Sequence, residues 1–109
     1  MAVGVELGPE DKGKTVEVRR GALMEVCLPE NPTTGYRWEV DHADESIVGL
    51  EEVVFSRASS VTVGAGGWRT FRFKARGTGS ARLQLKRWRP WEGSQSIIDR
   101  YEVSIRVEG

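Results

Sequence analysis

The chain has 109 residues, a length that suits one domain burying roughly two-thirds of its unfolded surface without covalent staples. Lys and Arg total 16 and Asp and Glu total 16, so the formal net charge is zero, which removes the global basic field of a nonspecific nucleic-acid binder. The lone cysteine, Cys27, excludes an intrachain disulfide and a cysteine-built metal site, and the lone histidine, His42, leaves little for acid–base or metal chemistry.

In chain order, Met1–Leu7 carries Glu6 and has no basic start followed by an apolar run, so it does not read as a secretory leader. No stretch approaches the apolar length of a membrane span. A soluble chain is expected, either cytoplasmic or the mature form of an exported protein. From Lys14 onward the pattern is strand after strand. Lys14–Arg19 alternates Val16 and Val18 with Thr15, Glu17 and Arg19. Ala22–Leu28 sets Ala22, Met24, Val26 and Leu28 on one face, with Glu25 and Cys27 on the other. Tyr36–Asp41 groups Tyr36, Trp38 and Val40 against Arg37 and Glu39. Asp41–Ser46 reads as a charged loop holding the histidine. Ile47–Phe55 is apolar and β-branched, interrupted at Gly49 and at Glu51–Glu52. Trp68–Ala75 aligns Phe71, Phe73 and Ala75, and Ala81–Arg87 aligns Ala81, Leu83 and Leu85, with a plain turn at Gly77-Thr78-Gly79 between them. Tyr101, Val103, Ile105 and Val107 alternate with Glu102, Ser104, Arg106 and Glu108 to close the chain. The period of two recurs throughout and no helical stripe is visible. The expected fold is therefore all-β: an antiparallel β-sandwich of about seven to eight strands, with residues 1–109 as one domain.

Three connections stand apart. The first, Asn31–Tyr36, reads Asn-Pro-Thr-Thr-Gly-Tyr and combines a residue of fixed φ, Pro32, with a permissive one, Gly35; Pro29 stiffens the approach. Such a loop has one shape and presents a small, half-polar tip of Thr33 and Thr34. Alone, it is as readily a sturdy turn as a recognition element. The second, Ser56–Gly67, is long by loop standards and ends in Gly64-Ala65-Gly66-Gly67. The third, Trp88–Gln95, holds Arg89-Pro90-Trp91-Glu92-Gly93. Where strands run alternately up and down, connections an even number of strands apart emerge at the same end, and the strand count places all three there.

These residues resemble the chagasin family, protein inhibitors of papain-like cysteine peptidases. Asn31-Pro32-Thr33-Thr34-Gly35-Tyr36, Gly64-Ala65-Gly66-Gly67 and Arg89-Pro90-Trp91 look like its three signature loops, in order, and Gly21–Pro29 is the type of strand that leads into the first. The resemblance weakens at the N-terminus and between Asp41 and Ser60. It implies an immunoglobulin-like sandwich whose loops form a wedge for the peptidase cleft. The Thr33–Thr34–Gly35 tip would then meet the catalytic cysteine and histidine, with Gly64–Gly67 along one side as extended backbone and Arg89–Trp91 clamping the other. It also implies a protein partner, a papain-like cysteine peptidase, no cofactor, and a free state that is monomeric.

The other reading of each residue is structural. Trp38 alternates with Val40 and belongs in the core; Trp68 fits core or rim; Trp88, at a strand end, is structural. Tyr36 anchors the base of the first loop, and Arg89 is either a clamp donor or a solvated charge. Cys27 and His42 have no chemical role. Enzyme readings fail on inventory, because no nucleophile–base pair with an orienting partner is evident and the glycine run lacks the Lys-Ser/Thr ending of a phosphate loop. The rival readings are an immunoglobulin-like adhesive or carbohydrate-binding module using Trp68, Trp88 and Trp91, and a nucleic-acid binder using Arg82, Lys86, Arg87 and Arg89. The second is opposed by Glu92 and by zero net charge, and a sugar platform leaves the Thr-Thr-Gly tip without a role.

Overall fold

Alternation of apolar and polar side chains gives a strand two unlike faces, and two such sheets bury their apolar faces against each other. In the computed structural model, which describes residues 4–57 and 66–109, this yields eight strands: β1 (Val5–Leu7), β2 (Thr15–Arg19), β3 (Leu23–Glu30), β4 (Arg37–His42), β5 (Val48–Arg57), β6 (Gly67–Ala75), β7 (Gly79–Trp88) and β8 (Asp99–Glu108). One sheet has the order β1-β3-β6-β5 and the other β2-β8-β7-β4. The expected all-β sandwich is the observed one. Between the sheets lie Met24, Val26 and Leu28 of β3, Phe71 and Phe73 of β6, Leu83 and Leu85 of β7, and Val103 and Ile105 of β8, all buried. No helix among the described residues is long and apolar enough to cross a membrane.

Four of the strand pairs are antiparallel, but the edge strands β1 and β2 join β3 and β8 in parallel. Connectivity explains this. Strands β1, β2 and β3 run up, down and up, and β2 has crossed to the other sheet, so the two upward strands become neighbours. β1 itself is absent from the sequence reading, because three residues are too short for alternation to register. Within β5 the ladder shifts register between Leu50 and Glu52. The extra residue of this bulge resets the phase, so that Leu50 and Val53 sit opposite Phe73 and Phe71 on the inner face. That is the physical meaning of the acidic interruption at Glu51–Glu52.

The tryptophans separate as their positions predict. Trp38 is in the core, 5% exposed. Trp88 is structural: its indole N–H donates to Glu39 Oε2 at 2.7 Å, and the Lys86 ammonium lies 3.7 Å from its ring centroid. Trp68 is a rim residue, 43% exposed. Cys27 points outward from β3, where the Thr70 hydroxyl donates to its sulfur at 3.4 Å, and His42 ends β4 in the other sheet rather than lying in the loop that follows.

Tyr101 begins the central pattern of β8. It is buried, and its hydroxyl donates to the Gly8 carbonyl at 2.8 Å. Burial, with the Asp11 and Glu10 carboxylates nearby, pushes its hydroxyl up to about 12. A folded-state value raised above the unfolded one leaves stability intact below pH 10 and erodes it as pH climbs toward the folded value. Urea titrations at rising alkaline pH should therefore show a loss of roughly 2–3 kcal/mol across that window, a loss that Tyr101→Phe removes.

Candidate functional site

Strands β3, β5 and β7 run in the same direction, so the connections that follow them leave one end of the sandwich. The first connection, residues 31–36, also crosses from one sheet to the other, since β3 and β4 belong to different sheets. Both of its ends are held by one side chain. Glu30, the last residue of β3, is 3% exposed; its Oε1 accepts from the Trp38 backbone N–H at 2.7 Å. The same carboxylate takes Arg69 of β6 in a fork, with Nε donating to Oε2 at 3.1 Å and Nη2 to the same oxygen. The Trp38 indole donates back to the Pro29 carbonyl at 3.0 Å. Sequence reasoning missed Glu30 and Arg69, although one signal was there: both lie on the inward phase of their strands, where alternation calls for an apolar residue.

Between these anchors the loop is internally hydrogen-bonded. Pro32–Thr34 form a 3-10 turn capped by Asn31, whose Oδ1 accepts from the Thr33 N–H at 3.1 Å and from the Thr33 hydroxyl at 2.7 Å. The Thr34 hydroxyl donates to the Asn31 carbonyl at 2.8 Å and accepts from the Tyr36 N–H at 3.3 Å. Gly35 closes the turn at φ +81, a left-handed conformation that favours glycine. Both threonine hydroxyl protons are thus engaged inside the loop. What Thr33 offers outward is a methyl group and oxygen lone pairs, an acceptor and not a donor.

The third connection docks onto the first. The Arg89 guanidinium donates to the Thr34 carbonyl from Nε at 3.1 Å and from Nη2 at 2.8 Å, donates to Glu92 at 3.1 Å, and lies 4.2 Å from the Tyr36 ring centroid. Arg89 is therefore neither a free donor nor a solvated charge; it clasps the two loops together, and Tyr36 is the base it rests on. Pro90–Glu92 form a second 3-10 turn that lifts Trp91 to 68% exposure. The far edge of its ring overhangs Gly35 so closely that a Cβ there would sit 3.0 Å from Trp91 Cη2. Ser96, buried and also missed in the sequence, fastens the base of this loop by accepting from the Arg89 N–H at 3.0 Å and donating to carbonyl oxygen.

Of the second connection, Gly64 and Ala65 lie outside the described residues. Ser56 and Arg57 belong to β5, and Gly67 opens β6. A Cβ on Gly66 would fall 2.8 Å from the Glu30 carbonyl oxygen and 3.3 Å from Asn31 Cα, and one on Gly67 would fall 2.1 Å from the Ser56 carbonyl oxygen. These two glycines are small because the chain's own backbone fills the space, with Gly66 pressed against the root of the first loop. The structure thus brings together Asn31, Pro32, Thr33, Thr34, Gly35, Tyr36, Gly66, Gly67, Arg89, Pro90 and Trp91 at one edge.

Of the four basic residues named for a phosphate track, three are paired with acids and, among the described residues, Arg87 joins no ion pair. Lys86 pairs with Asp41 at 3.2 Å, Arg82 with Glu102 at 3.5 Å and Arg89 with Glu92 at 3.1 Å. Of the tryptophans named for a sugar platform, Trp88 is engaged by Glu39 and Lys86, leaving Trp68 and Trp91 exposed. Fold and loops together define the class: an immunoglobulin-like sandwich whose first and third loops brace each other at one edge.

Comparison with known proteins carries this further. Residues 17–105 match the chagasin family peptidase inhibitor I42 model. The chain is 32% identical to chagasin of Trypanosoma cruzi over 100 residues, covering 87% of this chain and 90% of that one. Among solved structures it superposes on the cysteine protease inhibitor EhICP2 of Entamoeba histolytica with a TM-score of 0.86 at 20% identity, over 98% of this chain and all (100%) of the other. PbICP-C, solved in complex with falcipain-2, gives 0.73 at 12% identity over 96% and 100% of the two chains. The chain belongs to the chagasin family of cysteine peptidase inhibitors.

The Glu30 anchor yields a direct test. Removing one partner of a buried ion pair leaves the other uncompensated, so Glu30→Ala should lower unfolding free energy by about 3–5 kcal/mol in a urea titration. Adding Arg69→Met should recover part of that loss.

Proposed function

We propose that this chain is a reversible, competitive inhibitor of papain-like cysteine peptidases that blocks the active-site cleft with its three-loop edge, acting as a single inhibitor domain and a monomer when free. The tip of Thr33, Thr34 and Gly35 faces the catalytic cysteine and histidine. Gly64, Ala65, Gly66 and Gly67 run along one wall of the cleft, and Pro90 and Trp91 cover the other, with Asn31, Pro32, Tyr36 and Arg89 holding the shape. The observation that carries this reading is the clasp of Arg89 on Thr34, which makes two separate loops one rigid body before any partner arrives. The falcipain-2 complex of PbICP-C supports a partner of this kind.

The same clasp explains how such a loop resists cleavage. Peptide hydrolysis requires the carbonyl oxygen to turn into the enzyme's oxyanion hole as charge develops on it. Here the carbonyl oxygens of Asn31, Pro32 and Thr34 are already held by the Thr34 hydroxyl and N–H, the Gly35 N–H and the Arg89 guanidinium, respectively. Moving them would break the loop's own bonds. Thr33 presents acceptor lone pairs, which suit an imidazolium N–H. Because the loop is already ordered, docking costs little conformational entropy. Trp91 supplies the large apolar anchor typical of interface hot spots, within an interface expected to reach roughly 800 Å² per partner.

Titration of the protein against papain with a small fluorogenic substrate should show competitive, reversible inhibition, with the inhibitor recovered intact on a denaturing gel. Full peptidase activity at micromolar inhibitor would sink the reading. Trp91→Ala should weaken inhibition by about 1–2 kcal/mol or more while leaving the urea midpoint close to that of the parent; an unchanged inhibition constant would take Trp91 out of the interface.

A further inference from the structure

Beneath the loops, the inner face of β7 ends in a charge. Ala81, Leu83 and Leu85 are the buried residues of that strand, and Arg87 continues their phase. Its guanidinium carbon stands 5.7 Å from the Trp38 ring centroid, and its Nε is buried without a hydrogen-bond partner. Among the described residues Arg87 joins no ion pair, whereas Arg69, its counterpart on β6, is matched by Glu30.

No acid among the described residues pairs with it. Glu30 is already occupied by Arg69 and by the Trp38 N–H. Asp99, the register partner of Arg87 across β7 and β8, has its Oδ1 3.8 Å from the Lys12 ammonium and accepting from the Arg100 N–H at 2.8 Å. Residues 58–65, which rejoin the described chain at Gly66, read Ala-Ser-Ser-Val-Thr-Val-Gly-Ala and contain no carboxylate. On the inner face here Glu30 is matched by Arg69, and among the described residues Arg87 joins no ion pair. Arg87 also lines a cleft of about 330 Å³, together with Glu30, Asn31, Gly66, Gly67 and Trp68. This cleft opens between the first loop and the end of the second, on the docking edge itself.

We propose that this cleft is a subsite for an acidic side chain, an aspartate or glutamate carried on one lip of the target peptidase's groove, with Arg87 as the residue that reads it. The proposal rests on the peptidase-docking reading above. A half-buried guanidinium lacking an acceptor is costly to leave unmatched, and a carboxylate entering as docking excludes water forms the strong, charge-assisted kind of hydrogen bond. Arg87 thereby selects among peptidases: an acid at that lip is favoured, and a basic residue there is repelled.

The test begins with the unaltered protein on papain, where an absence of inhibition overturns the docking reading and this proposal together. With inhibition established, Arg87→Met should raise the inhibition constant roughly tenfold, equivalent to about 1.4 kcal/mol, and flatten its dependence on sodium chloride. Arg87→Lys should restore part of both effects. An unchanged inhibition constant and salt slope for Arg87→Met overturns the subsite and leaves the inhibitor reading standing. Equal losses for Met and Lys that track a lowered urea midpoint assign Arg87 to packing and also overturn it. Acetate that raises the thermal midpoint of the parent but not of Arg87→Met, with inhibition unaffected by the substitution, assigns the cleft to a free anion instead.

Discussion

The geometry of the loop-bearing edge depends on one buried carboxylate. Glu30 ends β3 in one sheet, accepts from the backbone of Trp38 in the other, and is neutralised by Arg69 of β6. A buried ion pair is weak evidence for stability, because desolvation offsets much of its attraction. It is strong geometrically: with the Trp38 amide and the Arg69 fork both satisfied by the same two oxygens, the carboxylate fixes where the first loop leaves one sheet and where it enters the other. The six residues between have no freedom to drift as a hinged flap would.

On that foundation the polar groups of the edge turn toward one another. Asn31 takes up the Thr33 proton, Thr34 the Tyr36 N–H, and Arg89 the Thr34 carbonyl. Glycines allow the rest, Gly35 beneath the Trp91 ring and Gly66 against the root of the first loop. The surface that the first and third loops leave exposed is correspondingly simple, methyl groups, acceptor lone pairs and one large indole, with Arg87, unmatched among the described residues, in the cleft beside them. Loops built in this way have already satisfied the groups that a flexible loop would have to desolvate and order during binding.

Much of this was legible in the chain. Alternation located seven of the strands, and counting them placed the loops at one end, because both inferences need only local pattern. The limits were equally physical. β1 was too short to show a period, and the bulge in β5 broke the period at Glu51, which reads as an interruption until Phe71 and Phe73 are seen opposite. The first and third loops stand out in the sequence, yet the direction in which their side chains act does not. Arg89 turns inward onto Thr34, 55 residues away in sequence, and no local rule encodes a partner at that separation. Glu30, Arg69 and Arg87 share one lesson: a charge on the inward phase of a strand marks a place where the core has been exchanged for something more specific.

The four tryptophans occupy four different surroundings: Trp38 buried, Trp88 under a lysine ammonium, Trp68 on the rim and Trp91 standing clear in water. The water-relaxed, long-wavelength part of the emission therefore comes from Trp68 and Trp91. Any partner that covers the edge shifts the Trp91 contribution to the blue, so the molecule carries its own optical reporter of occupancy and needs no dye.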